Sequence, residues 1–355
     1  MQQNRSSNIE LFSILLMLSI VAHHYVVNSG VFDVVSQSPY DWRDYFLVLF
    51  GMWGKIGINC FVLITGYFMC KSEITTRKFL KLLLEVLFYK IVCYICFLHT
   101  GYVEFSIRGA LHSLNPISSM TDGFVSCFLI YYLLIPFVNI LVRNLTKKQH
   151  QWLIVACMLF TVILPHCNRY ILRFNYVEWF IIIHLIASYI RFYIDNFACP
   201  NNTKSLLYIG GGVLIGLLSV AIMMFGYDNG IAKMRWMYEW VIDCNALLAV
   251  VVSLMFFYGF KNLHIKQSKI INYIASSTFA VLLIHANSDA MRQWLWRDIC
   301  HNVDWINSPY MPLHAICCCV VIFITCVLID KIRILLIEKP LFIKIDNILT
   351  RYGIR

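Results

Sequence analysis

Residues 19 to 30, SIVAHHYVVNSG, put two histidines, His23 and His24, side by side near the end of a long apolar run. Far along the chain, AVLLIHANSD at 280 to 289 closes another apolar run with His285 and carries Asp289 four positions later. A neutral imidazole near pH 7 takes a proton from a hydroxyl and returns it to a leaving group, so these side chains suit general acid–base work. Neighbouring helical positions lie about 100° apart, so only one of His23 and His24 points straight into a bundle while the other lies beside it. If the helix continues past His285, the Asp289 carboxylate reaches that imidazole at i+4 and sets its tautomer. Zinc wants three or four ligands in a closed geometry; no HxxxH, and no CxxC paired with histidine, supplies them, so no metal is expected.

These side chains need a scaffold, and the composition specifies it. Of 355 residues, 60% are hydrophobic and only 14% charged, with a mean hydropathy of +0.69. Apolar runs near 20 residues recur along the whole chain, as transmembrane helices require. Such runs become helices because hydrocarbon offers backbone amides and carbonyls no water to bond. The reading is an all-α polytopic membrane protein, a single integral-membrane domain over 1–355. Ten spans are expected, at 9–28, 46–69, 79–98, 124–142, 151–166, 177–194, 205–226, 240–260, 270–286 and 313–336. The first lacks a cleavage site and exceeds a signal-peptide core, so it reads as a retained span.

The formal charge of +10 is mostly topology and does not indicate nucleic acid. Assigned to alternate loops, Lys and Arg concentrate on the N-terminal side of the membrane, which by the positive-inside rule puts both termini in the cytoplasm. The chain is expected in a bacterial inner or plasma membrane, in contact with its lipids. Most of the 14 cysteines fall inside spans as small polarizable hydrophobes, and Cys93 and Cys96 have CxxC spacing without a redox-fold context. Cys167 and Cys300 can both face outwards in this scheme, which leaves room for a bridge that nothing else in the sequence supports.

An ionisable residue at membrane depth is a functional candidate by default. Besides the three histidines these are Glu10, Lys55, Glu85, Lys90, Glu178, His184 and Asp243. Glu10 and Glu178 sit at span ends, Glu85 and Lys90 suit pairing with neighbouring helices, and His184 suits a hydrogen-bonded packing role. Lys55 lies in GMWGKIG, where small residues let helices approach closely. Proton-coupled transport also uses membrane-embedded His and carboxylate relays, so a secondary transporter or flippase for a small or lipid-linked solute is the rival class. The chain shows no obvious inverted repeat to support it.

As a set, several segments resemble acyltransferase family 3, integral-membrane O-acyltransferases that modify surface glycans and related acceptors. NIELFSILLMLSIVAHHY is similar to the family's first-span signature, with Glu10 and His24 on its acidic and histidine positions. GINCFVLITGYFM from Gly57, RKFLKLL from Arg77, EWFIIIHLIASYIR from Glu178, the segment 274–296 that includes His285, and EKP at 338–340 resemble later elements, in order over nearly the whole chain. Ser13 departs from the pattern, standing where the family carries a basic residue before the histidine.

The resemblance implies transfer of an acyl group, expected to be acetyl, from a coenzyme A thioester to a sugar hydroxyl of a cell-envelope or exported polysaccharide or a lipid-linked sugar. Acetyl-CoA or another acyl-CoA would be a co-substrate; no resident cofactor is implied. His24 would be the general base, His285 its acceptor-orienting or proton partner, with Glu10, His23 and Asp289 in support. Arg77, Lys78 and Lys81 form a cationic cluster for donor phosphates, with Lys55 as a further candidate. His24 would lie roughly 22 Å along its helix from the inner end. A cytoplasmic pore wide enough for the pantetheine arm is therefore expected to lead to it.

Overall fold

A computed structural model of the chain describes residues 6–35, 39–117, 123–165, 175–195, 201–231, 238 and 240–351. Every regular element among them is helical. The first, α1, covers Ser7–Val27 and ends before Ser29 and Gly30, where a positive φ of 89° turns the chain. A short α2, Val31–Val35, leads to α3, Trp42–Gly51, whose capping box at Asp41 satisfies the first-turn amides. After a two-residue break, α4 covers Gly54–Met69 and α5 covers Thr76–His99. Then follow α6, Ile107–Leu114, α7, Phe124–Asn144, and α8, Lys147–Met158, which runs on as a π-turn over Leu159–Ile163.

The second half continues with α9, Tyr176–Tyr189, α10, Asn202–Asp228, and α11, Leu247–Asn262. Two helices, α12, Lys269–Ala275, and α13, Thr278–His285, are nearly continuous, and α14, Asp289–Arg292, departs from them with a bend of 97°. The long α15, Met311–Arg333, and α16, Lys339–Arg351, finish the described chain.

Seven helical stretches among the described residues are long and apolar enough to cross a membrane, eight if the bent pair counts as one span. The expected ten is therefore reduced on length and composition. The segment expected at 151–166 is helical over α8 and its π-turn but is not among the seven, its first five residues, Lys147 to Gln151, all being polar, and that at 240–260 is cut to the 16 residues of α11. At about 1.5 Å per residue, 16 residues reach ~24 Å, short of a ~30 Å hydrocarbon core. The expected span at 46–69 is α3 and α4 together, starting four residues earlier at Trp42.

Ladders of side-chain bonds hold the helices together where lipid cannot drive association. Asn59 of α4 donates to the Cys244 carbonyl and accepts from the indole of Trp179, both at 2.7 Å. His184 of α9 is fully bonded, accepting from Tyr131 at 2.8 Å and donating to Asn139 at 3.0 Å, while Asn139 donates to the Met69 carbonyl. Ser7 bonds the side chains of Gln267 and Asn272, and Lys331 reaches the Tyr273 carbonyl and Ser276, so the start of α1 and the end of α15 meet at one face of the bundle. On that face Asp195 accepts from Tyr67, Arg191 and Lys261, joining α4, α9 and α11.

Candidate active site

The site begins with how tightly α4 lies on α1. A Cβ on Gly54 would sit 2.4 Å from the His23 ring, and one on Gly51 would sit 2.8 Å from the Val26 side chain. Only bare backbone permits this approach. It lets the Gly51 carbonyl meet His23 Nδ1 at 2.6 Å, so His23 Nδ1 carries the proton and donates. We expect Gly54→Ala to push this ring aside and destabilise the protein by about 1–3 kcal/mol. Thermal unfolding in detergent would show it; an unchanged midpoint would contradict so close a contact.

His24 faces α13. Its Nδ1 lies 2.9 Å from His285 Nε2, and His285 Nδ1 lies 2.6 Å from the carbonyl of Val281 one turn earlier. A carbonyl only accepts, so His285 Nδ1 carries a proton and, in the neutral ring, Nε2 is the acceptor. His24 must then donate from Nδ1. Its own Nε2 is left unprotonated, and it has no hydrogen bond among the described residues. A backbone carbonyl thus sets the tautomer of a fully buried histidine, which sets that of a second, half-buried one. Such a pair can act as a general base with its orienting partner, the orienting acceptor being an imidazole instead of a carboxylate.

His23 and His24 line a cavity of about 720 Å³. Its wall follows α1 from Glu10 and Ser13 to the histidines, about 21 Å of helix axis. It is also lined by His112, Gly123 and Arg292 and, at the level of the histidines, by Lys55 and Tyr176, since Gly54 packs on the His23 ring. Lys55 Nζ donates to the Tyr176 hydroxyl at 2.6 Å. Ser13 bonds its own helix at the Ile9 carbonyl, 3.0 Å away, in the manner of a helix-packing serine.

The structure therefore brings together Glu10, His23, His24, Lys55 and, through His24, His285. It does not bring in Asp289. The helix stops at His285, Ser288 caps the next one, and Asp289 is solvent-facing with its carboxylate on Arg292 at 2.9 Å. The expected i+4 contact fails because the chain bends between the two residues. Arg77, Lys78 and Lys81 do not line the cavity either: Arg77 pairs with Asp346 at 2.7 Å, Lys81 with Glu338 at 2.6 Å, and Lys78 bonds Ser72 and the Glu73 carbonyl. Cys167 lies outside the described residues, and among these Cys300 is a free thiol. Sequence reasoning missed Arg292 and Tyr176, which line the cavity; the only signal was their place next to apolar runs that end in polar residues.

A helical membrane protein with a carbonyl–histidine–histidine relay opening on an internal cavity has the equipment of an enzyme that moves protons during group transfer. The family model described as an acyltransferase domain matches residues 7–331. The chain belongs to that family, acyltransferase family 3, as a multi-pass membrane acyltransferase. No curated protein and no solved structure matches it.

Proposed function

We propose that this protein is an O-acetyltransferase of the bacterial cell membrane, moving acetyl from acetyl-CoA to a sugar hydroxyl of a cell-envelope or exported polysaccharide. The observation that carries the reading is the free Nε2 of His24 at a cavity that runs along α1 from Glu10. The acceptor hydroxyl would attack the thioester carbonyl as its proton passes to His24 Nε2. The charge created on His24 is shared through Nδ1 with His285 and the Val281 carbonyl. Collapse of the tetrahedral intermediate breaks the C–S bond, and the proton on His24 goes to the departing thiolate. Such proton transfer is worth about 10²–10⁴ in rate.

Lys55, held by Tyr176 and next in sequence to the Gly54 that packs on His23, is one cation in the cavity that would meet the oxyanion or the donor's polar arm, and Arg292 is another. Because Arg77 and Lys81 are already paired with carboxylates, their use for coenzyme A phosphates would require those pairs to open. The reading is tested by incubating purified protein with acetyl-CoA labelled in the acetyl group and a mixed panel of glycan acceptors. Release of free coenzyme A together with label on a glycan oxygen is expected. Solute counterflow in liposomes with no thioester consumption would overturn it in favour of a transporter.

A further inference from the structure

The charges lining the internal cavity are sorted along it. Its carboxylates are Glu10, far from the histidines on α1, and Glu85, already engaged by Arg333 at 3.2 Å. Its cations gather at the histidines instead. Lys55 follows the Gly54 that packs on the His23 ring. Lys90 follows Tyr89, whose carbonyl accepts from Asn287 at 3.3 Å, just past His285. Arg292 bears electrostatically on both His24 and His285. Around Lys90, burial and the charges of Lys90 and Arg108 hold the His112 imidazole below its usual pKa. These cations also lack counter-charges inside the cavity. Lys55 donates to the Tyr176 hydroxyl and Lys90 to the Asn115 carbonyl, each at 2.6 Å, and neither has an ion pair among the described residues. Arg292 uses Nη1 on the solvent-facing Asp289, while its Nε is buried with no hydrogen-bond partner among the described residues.

We propose that the acyl acceptor is an acidic sugar, a hexuronate whose carboxylate is held by Arg292 with Lys90 as the second charge, while a ring hydroxyl meets His24 Nε2. Such an acceptor presupposes the acyl-transfer reading and narrows its acceptor class. Uncompensated cations at membrane depth are costly, and they mark a place where a substrate brings the missing charge. The oxyanion of the transition state needs one such partner, and the cavity holds three. Coenzyme A phosphates do not fill the remainder: with the thioester at His24, the pantetheine arm keeps them a full arm's length from this end. Geometry favours a carboxylate among anions. With Nη1 engaged, the other edge of the Arg292 guanidinium offers Nε–H and an Nη2–H in parallel, the fork that fits two carboxylate oxygens. A neutral hexose would leave both Arg292 Nε and the Lys90 charge without a match, which is how a polar site rejects an analogue.

The test uses the full-length protein in nanodiscs, with acetyl-CoA and two pairs of acceptors, the methyl glycosides of glucuronate and galacturonate and those of glucose and galactose. In wild type, kcat/KM for a uronate is expected to exceed that for its neutral counterpart by about 10- to 100-fold. The ratio should fall close to one in Arg292→Gln, fall partway in Arg292→Lys, and stay at the wild-type value in Lys344→Gln, an exposed cation of α16. Both acceptors are read in one preparation, so the ratio does not depend on how much of a variant folds. Should Arg292→Gln give no folded protein, Lys90→Gln reads the same ratio. No preference for uronate in wild type would overturn the proposal. So would a raised KM for acetyl-CoA in Arg292→Gln with an unchanged acceptor ratio, which would assign the cation to the donor. Saturation-transfer NMR of the methyl uronates reads binding apart from chemistry. Binding that Arg292→Gln abolishes, without transfer to any acceptor, would sink the acyl-transfer reading and leave the carboxylate site standing; no binding at all would sink the site.

Discussion

His24→Ala is expected to lower acyl transfer by about 10²- to 10⁴-fold, the range over which a positioned general base acts. His285 Nε2 would lose its donor in this variant, at about 1–3 kcal/mol for a buried unsatisfied acceptor, so part of any loss could come from poorer folding. His24→Gln separates the two effects, because its amide still donates towards His285 but has no basic nitrogen. Both variants should therefore be inactive, with His24→Gln nearer wild type in thermal unfolding. His23→Ala should be milder. Its ring is held by the Gly51 carbonyl and takes no part in the His24–His285 relay. Glycan O-acetyl content in a deletion strain complemented with each variant, with membrane levels checked, gives the readout. Wild-type acetylation with His24→Gln would remove His24 from the role of base.

Arg333→Met is expected to have the largest effect on stability, about 3–5 kcal/mol. The Arg333 side chain is 6% exposed and reaches Glu85 at 3.2 Å, Asp330 at 2.7 Å and Glu338 at 3.0 Å. Tyr89 donates to the same Asp330 oxygen at 2.8 Å, and Lys81 is the only other cation on Glu338 among the described residues. Removing the guanidinium would leave Glu85 and Asp330 buried without a counter-charge, which is far costlier than never having built the pair. Arg333→Lys should recover only part of the loss, since a single ammonium cannot direct donors to three carboxylates as a planar fork does. Thermal unfolding in detergent and membrane abundance would show the order wild type, Lys, Met. Equal midpoints for Lys and Met would mean that the fork geometry does not matter.

The site was legible in proportion to how local its signals were. His23 and His24 stood out because two adjacent imidazoles in an apolar run have no packing rationale. His285 was paired with them by depth alone, and the structure turns that matched depth into a ring-to-ring contact. The error at Asp289 has the same root. An i+4 relation is read from the sequence only while the helix continues, and the polar ANS stretch before Asp289 ends it. Arg77, Lys78 and Lys81 were legible as a charge cluster, but not the pairing of Arg77 and Lys81. Their carboxylates, Asp346 and Glu338, lie over 250 residues away in sequence.

By itself, the sequence determined that this is a helical membrane protein, since 60% apolar residues arranged in long runs have no other stable backbone in hydrocarbon. The order of its motifs determined the family, and glycine spacing in α4 announced a close helix contact. Tertiary structure alone decided that His285 takes its tautomer from Val281 and hands it to His24. It alone placed a second, apolar concavity on the other side of that pair and joined Arg333 to carboxylates of α5, of its own helix and of the turn after it. Hydrophobic runs are properties of contiguous residues, whereas proton positions and buried charge pairs depend on which atoms the packed helices bring within 3 Å or so of each other.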